Sequence, residues 1–140
     1  MKTPAFKIAF FAAALLAGIC QAAAFDGIVI ANDSVPAASL TASALKDILT
    51  GKTMYWEGGQ AVIIVFLGDK AEAALKEASG MDSNAFKTFW QRLVFSGRGQ
   101  QPKKADEVDK AVALVAQTKG AIALVPMGAS LKGVKKIELK

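Results

Sequence analysis

Histidine is absent from the 140 residues, and cysteine occurs once, as Cys20. The missing histidine removes the commonest general base, the commonest side-chain metal ligand and every Ser-His or Cys-His catalytic pair. A single cysteine excludes an intrachain disulfide and a cysteine-rich metal site. Apolar length is short as well: the run from Ile8 to Ile19 falls below the roughly 20 residues that cross a bilayer. No aromatic residue interleaves with the basic clusters Lys103-Lys104 and Lys132, Lys135, Lys136 and Lys140, so neither forms a stacking surface for nucleic acid. Both clusters are expected to be solvated faces.

The N-terminus has a distinct pattern of its own. Lys2 and Lys7 precede the Ile8–Ile19 run without an acid, and Ala22-Ala23-Ala24 follows it with the small side chains a signal peptidase requires. Residues 1–24 are therefore expected to be a cleaved secretory signal and residues 25–140 the exported, periplasmic protein. Lipid attachment at Cys20 is disfavoured, because Ile19 stands where such signals want a small residue. Cleavage would remove two lysines and no acid, leaving 116 residues with a charge of +3 in place of +5. That length suits one domain and one core. The 53% hydrophobic content and mean hydropathy of +0.34 are raised by the leading segment.

Past residue 26, hydrophobic period sets the element order. Gly27 to Ala31 holds the short apolar run Ile28-Val29-Ile30, closed by Asn32-Asp33-Ser34 and Pro36, and predicts a buried strand followed by a loop. Thr41 is placed to cap a helix whose inner face is Leu45, Ile48 and Leu49, with Leu40 as a staple and Gly51 as its end. Ala61 to Leu67 is continuously apolar and predicts a strand buried on both faces. Asp69 is expected to cap a second helix through Ala73, Ala74 and Leu75, ending near Ser79-Gly80. Asp82 or Ser83 then caps a third, where Phe86, Phe89, Trp90, Leu93 and Val94 form a wide core-facing stripe. After the breaker segment from Ser96 to Pro102, Asp106 introduces a fourth helix with Val108, Val112, Val115 and Ala116 inward, closed by Lys119-Gly120. Ala121 to Val125 and Val134 to Leu139 complete the pattern as strands. The order β-α-β-α-α-α-β-β predicts an α/β fold: a mostly parallel sheet of three to four strands flanked by helices.

Few motifs carry chemistry. Gly51-Lys52-Thr53 imitates the end of a phosphate-binding loop, but Lys46 occupies the position of the required first glycine. Ser43 and Lys46 share the spacing of a serine-lysine pair without its companion motifs, and read as exposed neighbours on a helix. Gly97-Arg98-Gly99 is better placed, since glycines can turn backbone N–H groups outward and a guanidinium grips an oxyanion at two points. Thr41 marks a second anion candidate at a helix start, where N–H groups lack partners. No motif implies a cofactor or a metal.

The segment from the first strand through Leu40-Thr41 and Ile48-Leu49-Thr50-Gly51-Lys52 to Trp56 and Gly58 resembles the phosphate-type substrate-binding proteins of ABC transporters. Phe89-Trp90, Leu93 to Gly99, Pro102 and Gly120-Ala121-Ile122 resemble a short subfamily of the same proteins. The resemblance implies one lobe of a type II periplasmic-binding protein, a phosphate-like oxyanion as ligand, and a membrane transporter or sensor as partner. Carried onto this chain, the ligand residues it implies are Ser39, Thr41, Ser96, Gly97, Arg98 and Gly99. Leu67-Gly68-Asp69-Lys70-Ala71 departs from the pattern, because the family has an arginine and a Gly-Ser-Gly-Thr loop there. Asp69 would repel a dianion unless it is protonated or pairs with Lys70. A non-catalytic, weakly oxyanion-binding protein is thus expected. The alternative is an interaction module that has lost its ligand and docks on a sensor, a transporter or a second copy of itself as a homodimer.

Mass spectrometry of the protein purified from its host is expected to show an N-terminus at Phe25. An intact Met1 or an acylated Cys20 would contradict the expected export.

Overall fold

The computed structural model describes residues 27–140. The expected signal segment 1–24, including Cys20, lies outside the described residues, as does Phe25. Three apolar runs form adjacent strands: β1 (Ile28–Ala31), β3 (Ile63–Phe66) and β5 (Ala121–Val125). β2 (Ser39–Leu40), β4 (Lys103–Lys104) and β6 (Lys135–Leu139) complete a six-stranded sheet in the order β2-β6-β1-β5-β3-β4. Five strands run one way and β1 runs against both its neighbours, β5 and β6. The sheet is thus mostly parallel, as expected, with two more strands than the sequence indicates. Both additions are two-residue edge strands, too short to carry a hydrophobic period.

Alternation along the strands divides the core between two layers of helices. On one face, Val29, Ile64, Phe66, Ile122 and Leu124 pack against helices α1 (Ala42–Leu49), α2 (Glu72–Ser79) and α3 (Ser83–Phe95) through Leu45, Ile48, Leu75, Phe86 and Trp90. On the other, Ile30, Val65, Ala123 and Val125 meet Ala111, Val112 and Val115 of α4 (Val108–Gln117). Phe66 and Phe86 stack with centroids 5.0 Å apart, and Phe86 continues to Trp90 at 6.2 Å. Of the stripe on α3, Phe86 and Trp90 are therefore core, Phe89 and Leu93 are half-buried against it, and Val94 is half-buried outside both clusters.

Caps follow the sequence in part. Thr41 Oγ1 accepts the Ala44 N–H at 3.0 Å, and Asp82, not Ser83, caps α3 by accepting the Ala85 N–H at 2.8 Å. Asp69 does not cap a helix. Gly68 takes φ 72° and opens a 3-10 turn over Gly68–Ala71, so α2 starts at Glu72, beyond the reach of a capping Asp69. Asp106 does not cap either: α4 follows Glu107 without a side-chain cap, and Asp106 sits 3.8 Å from Lys104. Lys135, expected on a solvated face, is half-buried and donates to the Val35 carbonyl.

One junction fastens the loops to the sheet. The Gly120 N–H donates to Ser34 Oγ at 3.1 Å, while the Gly120 carbonyl accepts from Trp56 Nε1 at 2.9 Å and from the Ile63 N–H at 3.1 Å. Beside it, Asn32 donates to the Val115 and Ala116 carbonyls at 2.8 and 3.0 Å, pairing carbonyls that the end of α4 leaves open. Gly120 has φ 77°, and a Cβ there would lie 2.2 Å from the Ala61 carbonyl oxygen. Gly120→Ala is expected to cost more than about 2 kcal/mol in a denaturant melt, since strain and overlap with backbone act together.

Candidate functional site

Helices α1 and α3 end in the same way, and their ends build the site. Gly51 (φ 75°) follows α1, with its N–H on the Ile48 carbonyl and the Lys52 N–H on the Asp47 carbonyl. Gly97 (φ 74°) follows α3, with its N–H on the Val94 carbonyl and the Arg98 N–H on the Leu93 carbonyl. Both are Schellman caps, in which a left-handed residue turns the chain back onto the last open carbonyls. Gly51 and Gly99 lie beside the Trp90 ring, which donates from Nε1 to the Leu49 carbonyl at 3.0 Å. At Gly99 the constraint is space and not φ, because a Cβ there would lie 3.0 Å from Trp90.

Between these ends and the start of β3 lies a cavity of about 240 Å³. Trp90, Ile48, Met54 and Val62 supply apolar wall, and Tyr55, bridged to Ala61, closes one side. Arg98 with Gly97, Gly99 and Gln101 closes the other. No acidic residue lines the cavity among the described residues, and Arg98 forms no ion pair among them. A neighbouring cavity of about 330 Å³ shares Ile48, Thr53 and Tyr55, and contains Ser39 and Glu57 but no cation. A third, of about 230 Å³, lies across Trp90 and Gln101 and contains Lys87 and Lys104.

The structure thus divides the residues singled out from the sequence. Gly97, Arg98 and Gly99 line one cavity and Ser39 the adjoining one, whereas Thr41 and Ser96 line neither. Thr41 Oγ1 is engaged as a cap, and Ser96 Oγ donates to the Leu93 carbonyl at 2.8 Å. The Gly97 and Arg98 N–H groups point into the helix end and not outward, so two of the three N–H groups of the Gly97-Arg98-Gly99 segment are not offered to an anion. The Arg98 side chain is what remains. Lys70 pairs with Glu107 at 2.5 Å, not with Asp69. Ser43 and Lys46 are both exposed on α1. The Lys87–Lys104 cavity was not legible, since pairing β4 with β3 is what brings Lys104 beside α3.

Comparison with solved structures finds the same fold elsewhere. An ABC-type phosphate transport receptor from Vibrio cholerae aligns with a TM-score of 0.56 at 17% identity, over 81% of this chain and 46% of the receptor. PstS from Borrelia burgdorferi aligns at 0.60 with 11% identity, over 82% of this chain and 47% of that protein. The fold is that of one lobe of a phosphate-transport receptor. A phosphate-binding protein from Stenotrophomonas maltophilia, at 0.56 and 15% identity, is covered over 39% of its length. The chain therefore spans less than half the length of these structures. No family model and no curated protein matches it. No helix among the described residues is long and apolar enough to cross a membrane, and no cluster of His, Cys, Asp and Glu there could hold a metal.

Two substitutions separate site from scaffold. Arg98 is exposed without an ion pair among the described residues, so Arg98→Ala is expected to change stability by no more than about 0.5 kcal/mol. Trp90 is 5% exposed, so Trp90→Ala should cost about 3 to 5 kcal/mol in the same denaturant melts.

Proposed function

We propose that residues 25–140 form an exported, non-catalytic domain of the phosphate-binding type that holds a small oxyanion weakly. Fold alone does not carry this, because one fold hosts many functions. The observation that carries it is the contrast between adjacent cavities: one has the Arg98 guanidinium and no acid, the other the Glu57 carboxylate and no cation. A guanidinium offers paired donors that match an oxyanion and keeps its charge at any ordinary pH.

Weakness follows from the same geometry. Arg98 is exposed, so its attraction is screened by water and salt. The Gly97 and Arg98 N–H groups are spent on helix carbonyls, and the segment Leu67–Ala71 offers an acid and a lysine already paired with Glu107.

The second reading is an interaction module docking on a transporter, a sensor or another copy of the chain. It is favoured by Phe95, 91% exposed at the end of α3, and Tyr55, 65% exposed at the cavity rim. Calorimetry with phosphate and sulfate discriminates between the two. Dissociation constants in the high-micromolar to millimolar range, about 4 to 6 kcal/mol, are expected, weakened by salt and lost in Arg98→Ala. Submicromolar binding that survives Arg98→Ala would overturn the assignment, and no anion binding would favour the interaction module.

A further inference from the structure

We infer that the Arg98 cavity prefers an organic oxyanion with an apolar body to inorganic phosphate, an inference that rests on the oxyanion reading above. The walls are the reason. Phosphate needs polar partners around several oxygens, whereas beside Arg98 and the polar Thr53, Gln100 and Gln101 the cavity is lined by Ile48, Met54, Val62 and Trp90. These apolar side chains offer little hydrogen bonding to an ion and must be kept wet or covered by apolar atoms. Val62 and Met54 are only half-buried, so apolar surface in the cavity remains for a ligand to cover.

Size and polarity agree. An apolar cavity of about 150 Å³ accepts a benzene ring, and this one has about 240 Å³ with its single charge at the rim. A molecule with a ring or branched chain at one end and a carboxylate, phosphonate or phosphate monoester at the other would place its apolar part against Trp90 and Met54 and its anion on Arg98. The Gln101 amide lies on the same rim. Trp90 is held in place by its bond to the Leu49 carbonyl, so the wall exists before any ligand arrives.

Two ligands that share a headgroup test this: methylphosphonate and phenylphosphonate, titrated calorimetrically into the purified protein. Phenylphosphonate is expected to bind at least about tenfold more tightly. Arg98→Gln should abolish binding of both, and Met54→Gln should shrink the ratio between them, with melting curves confirming that each variant is folded. Equal affinities for the two ligands, or a ratio unchanged in Met54→Gln, would overturn the inference while leaving oxyanion binding in place. Loss of phenylphosphonate binding in Lys87→Gln but not in Arg98→Gln would move the site to the neighbouring cavity and overturn it too. If phosphate, methylphosphonate and phenylphosphonate all fail to bind, the oxyanion reading itself falls, and this inference with it.

Discussion

The peptide unit at Gly120 is the point on which the remaining loops depend. Its carbonyl takes the indole N–H of Trp56 and the N–H of Ile63, and its own N–H goes to Ser34. One residue thus ties the turn after β1, the hairpin before β3 and the entry to β5. Buried polar groups of this kind cost free energy when unpaired, so each partner holds the others in place. Only glycine can occupy the position, because the backbone is left-handed there and the Ala61 carbonyl fills the space of a side chain.

The consequence reaches the candidate site. Trp56, fixed to Gly120, sits next to Tyr55, which is bridged to Ala61 and forms one side of the Arg98 cavity. On the other side, the Schellman cap of α3 delivers Arg98 at the end of the helix that buries Trp90. Core and site therefore share elements: the indole that completes the aromatic stack on the sheet is also the wall of the cavity. A change to Trp90 is felt as a change in stability, whereas Arg98 is exposed beyond the end of α3 and lies outside the core.

The same caps limit what the site can do. A glycine loop can offer its N–H groups either to an anion or to the carbonyls of a preceding helix, and after α3 it does the second. In the proposed oxyanion reading, binding rests on one exposed guanidinium and on apolar contact, a combination that would select for the body of a ligand as much as for its charge. Glu57 in the adjoining cavity adds to this by making the Ser39 side unfavourable to anions.

Hydrophobic period by itself determined the central strands, the four helices and much of their inner faces, because burial is the dominant favourable term and leaves its spacing in the chain; Ala73 is exposed and Ala111, not Ala116, is buried on α4. Leu45, Ile48 and Leu49 on α1 and Ile137 on β6 are buried as that spacing requires. Thr41 and Asp82 were legible as caps because capping is local chemistry, settled within four residues. Tertiary structure alone decided the edge strands β2 and β4, the reversed direction of β1 and the 3-10 turn that displaces Asp69. It also decided the site. Gly97-Arg98-Gly99 is visible in the sequence as a loop, but whether its N–H groups face a ligand or a helix end depends on where α3 stops. That an acid-free wall from α1, β3 and Trp90 meets Arg98 depends on contacts between residues far apart in the chain, which no local pattern encodes.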